Sequence, residues 1–187
     1  MALHGTGGDE NSLVDLARMV DQGASILAVR GKVVENGMPR FFRRIAEGVF
    51  DLEDLKFRSQ ELADFVVDAS GRYRFSLKDL VAVGYSNGAN IASSTLLLRP
   101  EVIDKAILLR AMVPFRPQAL PDLNGKGVFI SAGTRDGLIP AQQTRELASL
   151  LESAGASVAV NWVDSDHGLT RAEIEQAKRW LSGSGAD

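Results

Sequence analysis

Five short apolar runs punctuate the chain, at 24–29, 80–83, 106–109, 128–131 and 158–163, and stretches with helical periodicity separate them. The runs do not alternate apolar with polar residues, which suits strands covered on both faces. Leu13, Leu16, Ala17 and Val20 recur at helical spacing, with Asn11 or Ser12 as candidate cap. Leu55, Leu62, Phe65 and Val66 mark a helix over 52–69, and another over 91–98 stops before Pro100. Leu147, Leu150 and Leu151 mark a fourth helix, with Gly155 as its stop. Ile174, Ala177, Trp180 and Leu181 mark the last, opened by a Thr170/Glu173 capping box. This alternation predicts an α/β fold, a mostly parallel sheet with helices on both faces. In such sheets ligands bind at the carboxyl ends of the strands. The segment 31–48, with Asn36-Gly37, Met38-Pro39 and Phe41-Phe42, shows neither period and reads as a loop near that edge. Residues 182–187 read as a small polar tail.

At 187 residues the chain is read as one domain, 1–187, without internal repeats. Lys and Arg number 21 against 24 Asp and Glu, a net charge of −3. That balance lacks the basic footprint that nucleic acid binding needs. Cys is absent, which removes thiol nucleophiles, disulfides and thiolate metal sites together. The only histidines are His4 and His167, so a multi-histidine metal site is excluded and no metal is expected. No apolar run approaches the roughly 18 residues of a membrane span. Met1-Ala2-Leu3-His4-Gly5 carries no basic region and no signal-peptide core. The expectation is a cytoplasmic protein with neither membrane nor nucleic acid as partner.

Gly84-Tyr85-Ser86-Asn87-Gly88 fits G-x-S-x-G between an expected strand and an expected helix, the setting of a nucleophile elbow. The bare pattern arises by chance in about one chain in seven of this composition, so the setting carries the argument. The turn is tight enough to require small residues beside the serine. A serine needs a base to take its proton. His167, in Asp164-Ser165-Asp166-His167-Gly168, is the one histidine after Ser86 and follows the last strand; otherwise it is an ordinary loop histidine. Asp136, in the loop after the fourth strand, is the candidate acid that would hold the His167 tautomer; otherwise it is a turn or capping aspartate. Asp164 and Asp166 compete for that role, and Asp104 and Asp122 lie farther off in the pattern. Oxyanion stabilisation needs N–H donors. The backbone N–H of Asn87 is one candidate, and that of Thr6, in Leu3-His4-Gly5-Thr6-Gly7-Gly8, is the second. No Lys follows that glycine-rich turn as a phosphate loop would require, so a nucleotide site is the weaker reading. His4 reads as an orienting residue of the loop.

Taken together, Leu3-His4-Gly5-Thr6-Gly7-Gly8-Asp9-Glu10, Gly84 to Asn90, Gly133 to Pro140 and Asp166-His167-Gly168-Leu169 resemble the phospholipase/carboxylesterase branch of the α/β-hydrolases, related to acyl-protein thioesterases and dienelactone hydrolases. Asn36-Gly37-Met38-Pro39-Arg40-Phe41-Phe42 also resembles a segment of bacterial carboxylesterase-like members. The resemblance implies a three-layer α/β-hydrolase sandwich, a triad of Ser86, Asp136 and His167, oxyanion donors at Thr6 and Asn87, no cofactor, and a homodimer. Family members carry about twenty more residues before the oxyanion loop. Here Met1, Ala2 and Leu3 alone precede His4, so the expectation is an N-terminally shortened sandwich.

The interval between Gly88 and Asp136 is filled by expected strands and a helix, so no separate lid domain is expected. The pocket should be shallow and suit small or short-acyl esters. Candidate walls are Met112, Leu138 and Leu169, joined by Met38, Phe41 and Phe42 if the 31–48 segment folds over; each is equally an ordinary packing residue. Arg40, Arg43 and Arg44 would recognise an acidic group or form a solvated face. The leading expectation is a serine carboxylesterase acting on a small-molecule ester through an acyl-enzyme. An acyl thioesterase or lysophospholipase would need an extended apolar groove. A non-catalytic protein of the same fold that binds a small ligand would not react with a fluorophosphonate.

Overall fold

A computed structural model describes residues 1–183. The strand β1 (Ala2–Leu3) is followed by helix α1 (Val14–Val20) and strand β2 (Ala28–Val29). Two short hairpins come next, β3 (Val33–Glu35) with β4 (Met38–Arg40), and β5 (Arg44–Ala46) with β6 (Val49–Phe50). Then follow α2 (Leu52–Tyr73), β7 (Val81–Tyr85), α3 (Asn87–Leu98), β8 (Lys105–Leu109), β9 (Gly127–Gly133), α4 (Ala141–Ser153), β10 (Ser157–Val163) and α5 (Arg171–Leu181). Strands β10, β9, β8, β7, β1 and β2 lie in that order in one sheet, every neighbouring pair parallel.

The unalternating apolar runs have a direct cause. Successive residues of a strand point to opposite faces. On β8, Ala106 and Leu108 enter one core, packed against α2, α3 and α4, while Ile107 and Leu109 enter the other, packed against α1 and α5. Both faces are therefore dry. Each fully buried Leu or Ile contributes about 1.5–3 kcal/mol relative to exposure. Helix α3 is buried nearly all round, and it packs against α2 through a contact between small polar side chains, Ser59 Oγ and Ser94 Oγ at 2.7 Å.

Several boundaries differ from expectation. The strand expected over 24–29 shrinks to Ala28–Val29, because its sheet partner β1 spans only Ala2–Leu3. Helix α1 starts at Val14 with Leu13 in the N-cap position, which offers no side-chain hydrogen bond; the Ser12 hydroxyl turns back to Asp9 Oδ1 at 2.9 Å instead. Helix α2 runs past 69 to Tyr73 and stops where Arg74 enters the left-handed region with φ 57°. Helix α3 starts at Asn87 rather than 91, directly behind Ser86. The segment 31–48, expected as a loop, forms the first hairpin and the first strand and turn of a second that closes on Val49–Phe50, and Asn36 and Gly37, at φ 52° and 77°, make the first turn. The Thr170/Glu173 capping box is present, and Gly155, at φ 99°, follows α4. Of the tail expected over 182–187, residues 184–187 lie outside the described residues.

Candidate active site

Ser86 joins β7 to α3 with φ 52° and ψ −113°, a backbone conformation that non-glycine residues rarely take. Strain of this kind costs on the order of 1–3 kcal/mol and persists only where the surroundings impose it. Here they do. Ser86 N–H donates to Leu109 O at 2.8 Å on the neighbouring strand, and Asn90 N–H donates to Ser86 O at 3.0 Å. A Cβ on Gly84 would lie 2.5 Å from Gly88 O, and one on Gly88 would overlap the Leu3 carbonyl. Both glycines of the motif are thus required by backbone crossing backbone.

A line of hydrogen bonds runs from the serine. His167 Nε2 lies 3.0 Å from Ser86 Oγ, and His167 Nδ1 lies 2.8 Å from Asp136 Oδ2. With the Nδ1 proton donated to the carboxylate, Nε2 is left to accept the serine proton. The Asp136 carboxylate is 1% exposed and the imidazole 20%. Asp136 Oδ1 accepts the N–H groups of Leu138 and Ile139 at 2.8 and 3.0 Å, which fixes the carboxylate's orientation. The competing acids are engaged elsewhere: Asp164 with Arg135 at 2.8 Å, Asp166 with the Gly168 N–H at 2.8 Å, Asp122 with the Asn124 N–H at 3.0 Å, and Asp104 facing Lys126 at 3.8 Å.

The loop after β1 faces the same sheet edge. Gly7 N–H donates to Pro39 O at 2.9 Å and Gly8 N–H to Gly5 O at 3.1 Å, whereas among the described residues the Thr6 N–H meets no backbone acceptor. Asn87 opens α3, and its N–H is among the donors that a helix leaves without an intrahelical acceptor. His4 is buried. Its Nδ1–H donates to Gly5 O at 2.6 Å, and Nε2 accepts Gly31 N–H at 3.0 Å. Burial lowers its pKa below the ordinary imidazole value and keeps the ring neutral. His4 therefore orients the loop, as expected.

At the level of sequence, the chain is 49% identical over 180 residues to the Bacillus subtilis (strain 168) protein named "Putative hydrolase MhqD", covering 96% of this chain and 90% of that one. The chain belongs to the carboxylesterase-type α/β-hydrolases. The crystal structure of a Bacillus cereus carboxylesterase superposes with a TM-score of 0.95 at 50% identity, over 98% of this chain and 86% of that one. The structure of YahD with malic acid gives 0.92 at 33% identity, over 98% and 91%. Arabidopsis thaliana SOBER1, at 17% identity and a TM-score of 0.84, shares the fold. No family model matches the chain. Among the described residues no helix is long and apolar enough to cross a membrane.

In this carboxylesterase-type hydrolase the first hairpin braces the loop after β1, which the sequence did not suggest. Arg40 is buried rather than solvated, and its Nη1 donates to Thr6 Oγ1 at 2.8 Å. Phe41 N–H donates to Asn87 Oδ1 at 2.7 Å. Residues 39–41 thus hold Thr6, Gly7 and Asn87 in mutual register. Phe41 and Phe42 are core residues rather than open walls: the Phe41 ring packs at a tilt against His4, centroids 4.7 Å apart, and Phe42 meets Phe50 edge-on at 4.9 Å. Arg44 pairs with Glu35 at 2.7 Å and Arg43 with Asp51 at 3.1 Å, so both are engaged in ion pairs. Met38 borders the Gly7 turn. Met112 follows β8, where its N–H donates to Asn90 Oδ1 at 3.0 Å. Leu138, 52% exposed, sits two residues beyond Asp136. Leu169 lies instead in a groove with Leu16, Met19 and Ile174, between α1 and α5.

Proposed function

We propose that this hydrolase cleaves small or short-acyl carboxylic esters with Ser86 as nucleophile, His167 as general base and Asp136 as the acid that orients it. The observation that carries the reading is the unbroken line Ser86 Oγ, His167, Asp136, at 3.0 and 2.8 Å. Ser86 Oγ attacks the ester carbonyl as His167 Nε2 takes its proton. Asp136 stabilises the imidazolium that forms. The N–H groups of Thr6 and Asn87 receive the developing oxyanion. His167 then protonates the leaving alcohol, and water, deprotonated by the same imidazole, hydrolyses the acyl-enzyme. A small substrate fits a chain in which α3, β8, β9 and their connections fill the interval from the elbow to Asp136 with no inserted lid.

The test is covalent labelling followed by an ester panel. A fluorophosphonate should add once, at Ser86, and kcat/KM should fall as the acyl chain lengthens. Folded protein that stays unlabelled would overturn the reading in favour of a non-catalytic ligand binder. Rates that climb with acyl length would replace the short-acyl substrate with a thioesterase or lysophospholipase one.

The brace at Arg40 yields a second expected result. Arg40→Met keeps a long apolar stem, and Glu35 retains Arg44 as its partner. Outright loss of an oxyanion donor costs about 10²–10³ in kcat, so a loosened Thr6 should cost about tenfold or more, with KM within about threefold. Ester kinetics alongside circular dichroism check it. An unaltered kcat in folded protein would remove Thr6 from the oxyanion site.

A further inference from the structure

The loop that carries His167, between β10 and α5, contains no repetitive structure. A base on such a loop needs anchors from outside it. Arg110, the residue after β8, supplies them. Its side chain is 0% exposed. Its Nη2 donates to Ser165 Oγ at 2.8 Å and to Gly168 O at 2.6 Å, and its Nε donates to Asp166 O at 3.1 Å. The guanidinium therefore grips the loop on both sides of His167. The far side of the fork is closed by Glu173, whose oxygens lie 2.6 and 3.0 Å from Nη1 and Nη2. Burial pushes the Glu173 carboxyl up, yet hydrogen bonds from Arg110, Ser131 and Thr170 outweigh it and hold its pKa below the usual range.

Two further features set this pair apart from ordinary packing. Arg110 has φ 58°, a left-handed backbone that a non-glycine residue adopts only under constraint. A buried ion pair is also weak support for stability, since apolar residues of like volume often serve as well or better. What apolar residues cannot do is hold a loop by its carbonyl oxygens. The planar fork of Arg can satisfy these acceptors together, whereas Lys has one compact ammonium to offer.

We propose that Arg110, closed by Glu173, is a positioning residue that sets His167 Nε2 against Ser86. The proposal rests on the triad reading above. Its test uses the full chain and the double variant Arg110→Met/Glu173→Leu, which removes both charges and keeps the volume. The folded variant should lose about 100-fold in kcat with KM within about threefold, since a misplacement near 1 Å costs about that much. The downfield proton resonance of His167 Nδ1–H, which reports the bond to Asp136 independently of turnover, should shift or broaden away. A purely structural pair predicts lower thermal stability with kcat unchanged, whatever the resonance does, since Arg110 Nε lies 4.0 Å from Asp136 Oδ2 and its charge acts on that bond directly; an unchanged kcat would overturn the proposal. If the double variant does not fold, Glu173→Gln decides: it keeps the shape and removes the charge, and should lower kcat about tenfold. Wild-type kcat and resonance in folded Glu173→Gln would equally overturn the proposal. Failure of the triad reading is separately visible, as wild-type protein inert to a fluorophosphonate.

Discussion

Ser86→Ala should lower ester turnover by at least about 10³-fold while leaving the fold intact. The size follows from what remains. In the proposed mechanism, loss of Oγ leaves His167 Nε2 with no proton to take from the enzyme, and no acyl-enzyme forms. The two backbone N–H donors and the bound geometry still act on attack by water, which preserves a residual rate over solution. The substitution leaves the elbow's backbone constraints in place, because the hydrogen bonds at Ser86 N and O are main-chain bonds to Leu109 and Asn90. Thermal stability should therefore stay within about 1 kcal/mol, the usual range for a change that leaves packing alone. Steady-state kinetics of a short-chain nitrophenyl ester on both proteins check this. Activity within tenfold of wild type would mean that another group performs the attack.

Gly88→Ala should produce the largest loss of stability for a single methyl group. The added Cβ would overlap the Leu3 carbonyl and lie 2.6 Å from His4 O. Both are backbone atoms, so no rotamer change relieves them. Strand β1 spans two residues and sits between β7 and β2, so displacing it disturbs both ladders. Overpacking costs about 1–3 kcal/mol where side chains can shift, and a backbone collision stands at or above the top of that range. A chain of this size loses about 2–4 °C in Tm per kcal/mol, giving a drop on the order of 10 °C. Differential scanning calorimetry measures it, and a Tm within 2 °C of wild type would show that β1 yields freely.

The parts legible in the sequence were those whose signal is local. The apolar runs of β7 to β10, the tight glycine-flanked serine and the histidine past the last strand each announce themselves within a few residues. The acid picked by position, Asp136, is the one that lies 2.8 Å from His167 Nδ1, whereas the nearer Asp164 and Asp166 are held by Arg135 and the Gly168 N–H. The hairpins of 31–50 were illegible because strands of two or three residues are too short to display a period. Arg40 and Arg110 were illegible for another reason. A charged residue in a sequence reads as solvated, and the acceptors that allow burial come from distant segments, Thr6 for Arg40 and the 165–173 region for Arg110. Glu173 was visible as the closing residue of a capping box, and that local role concealed its second one.

Parallel neighbours in a sheet cannot meet through a tight turn, since each pairing waits on a crossover. Thr6, Ser86, Asp136 and His167 hang from the ends of four different strands of this kind, and none of them finds its companions along the local chain. Under the proposed mechanism competence is consequently a collective property: a molecule with one crossover undocked would retain most of its helices yet be inert. Turnover is thus a stricter gauge of the native state of this hydrolase than any measure of its helical content.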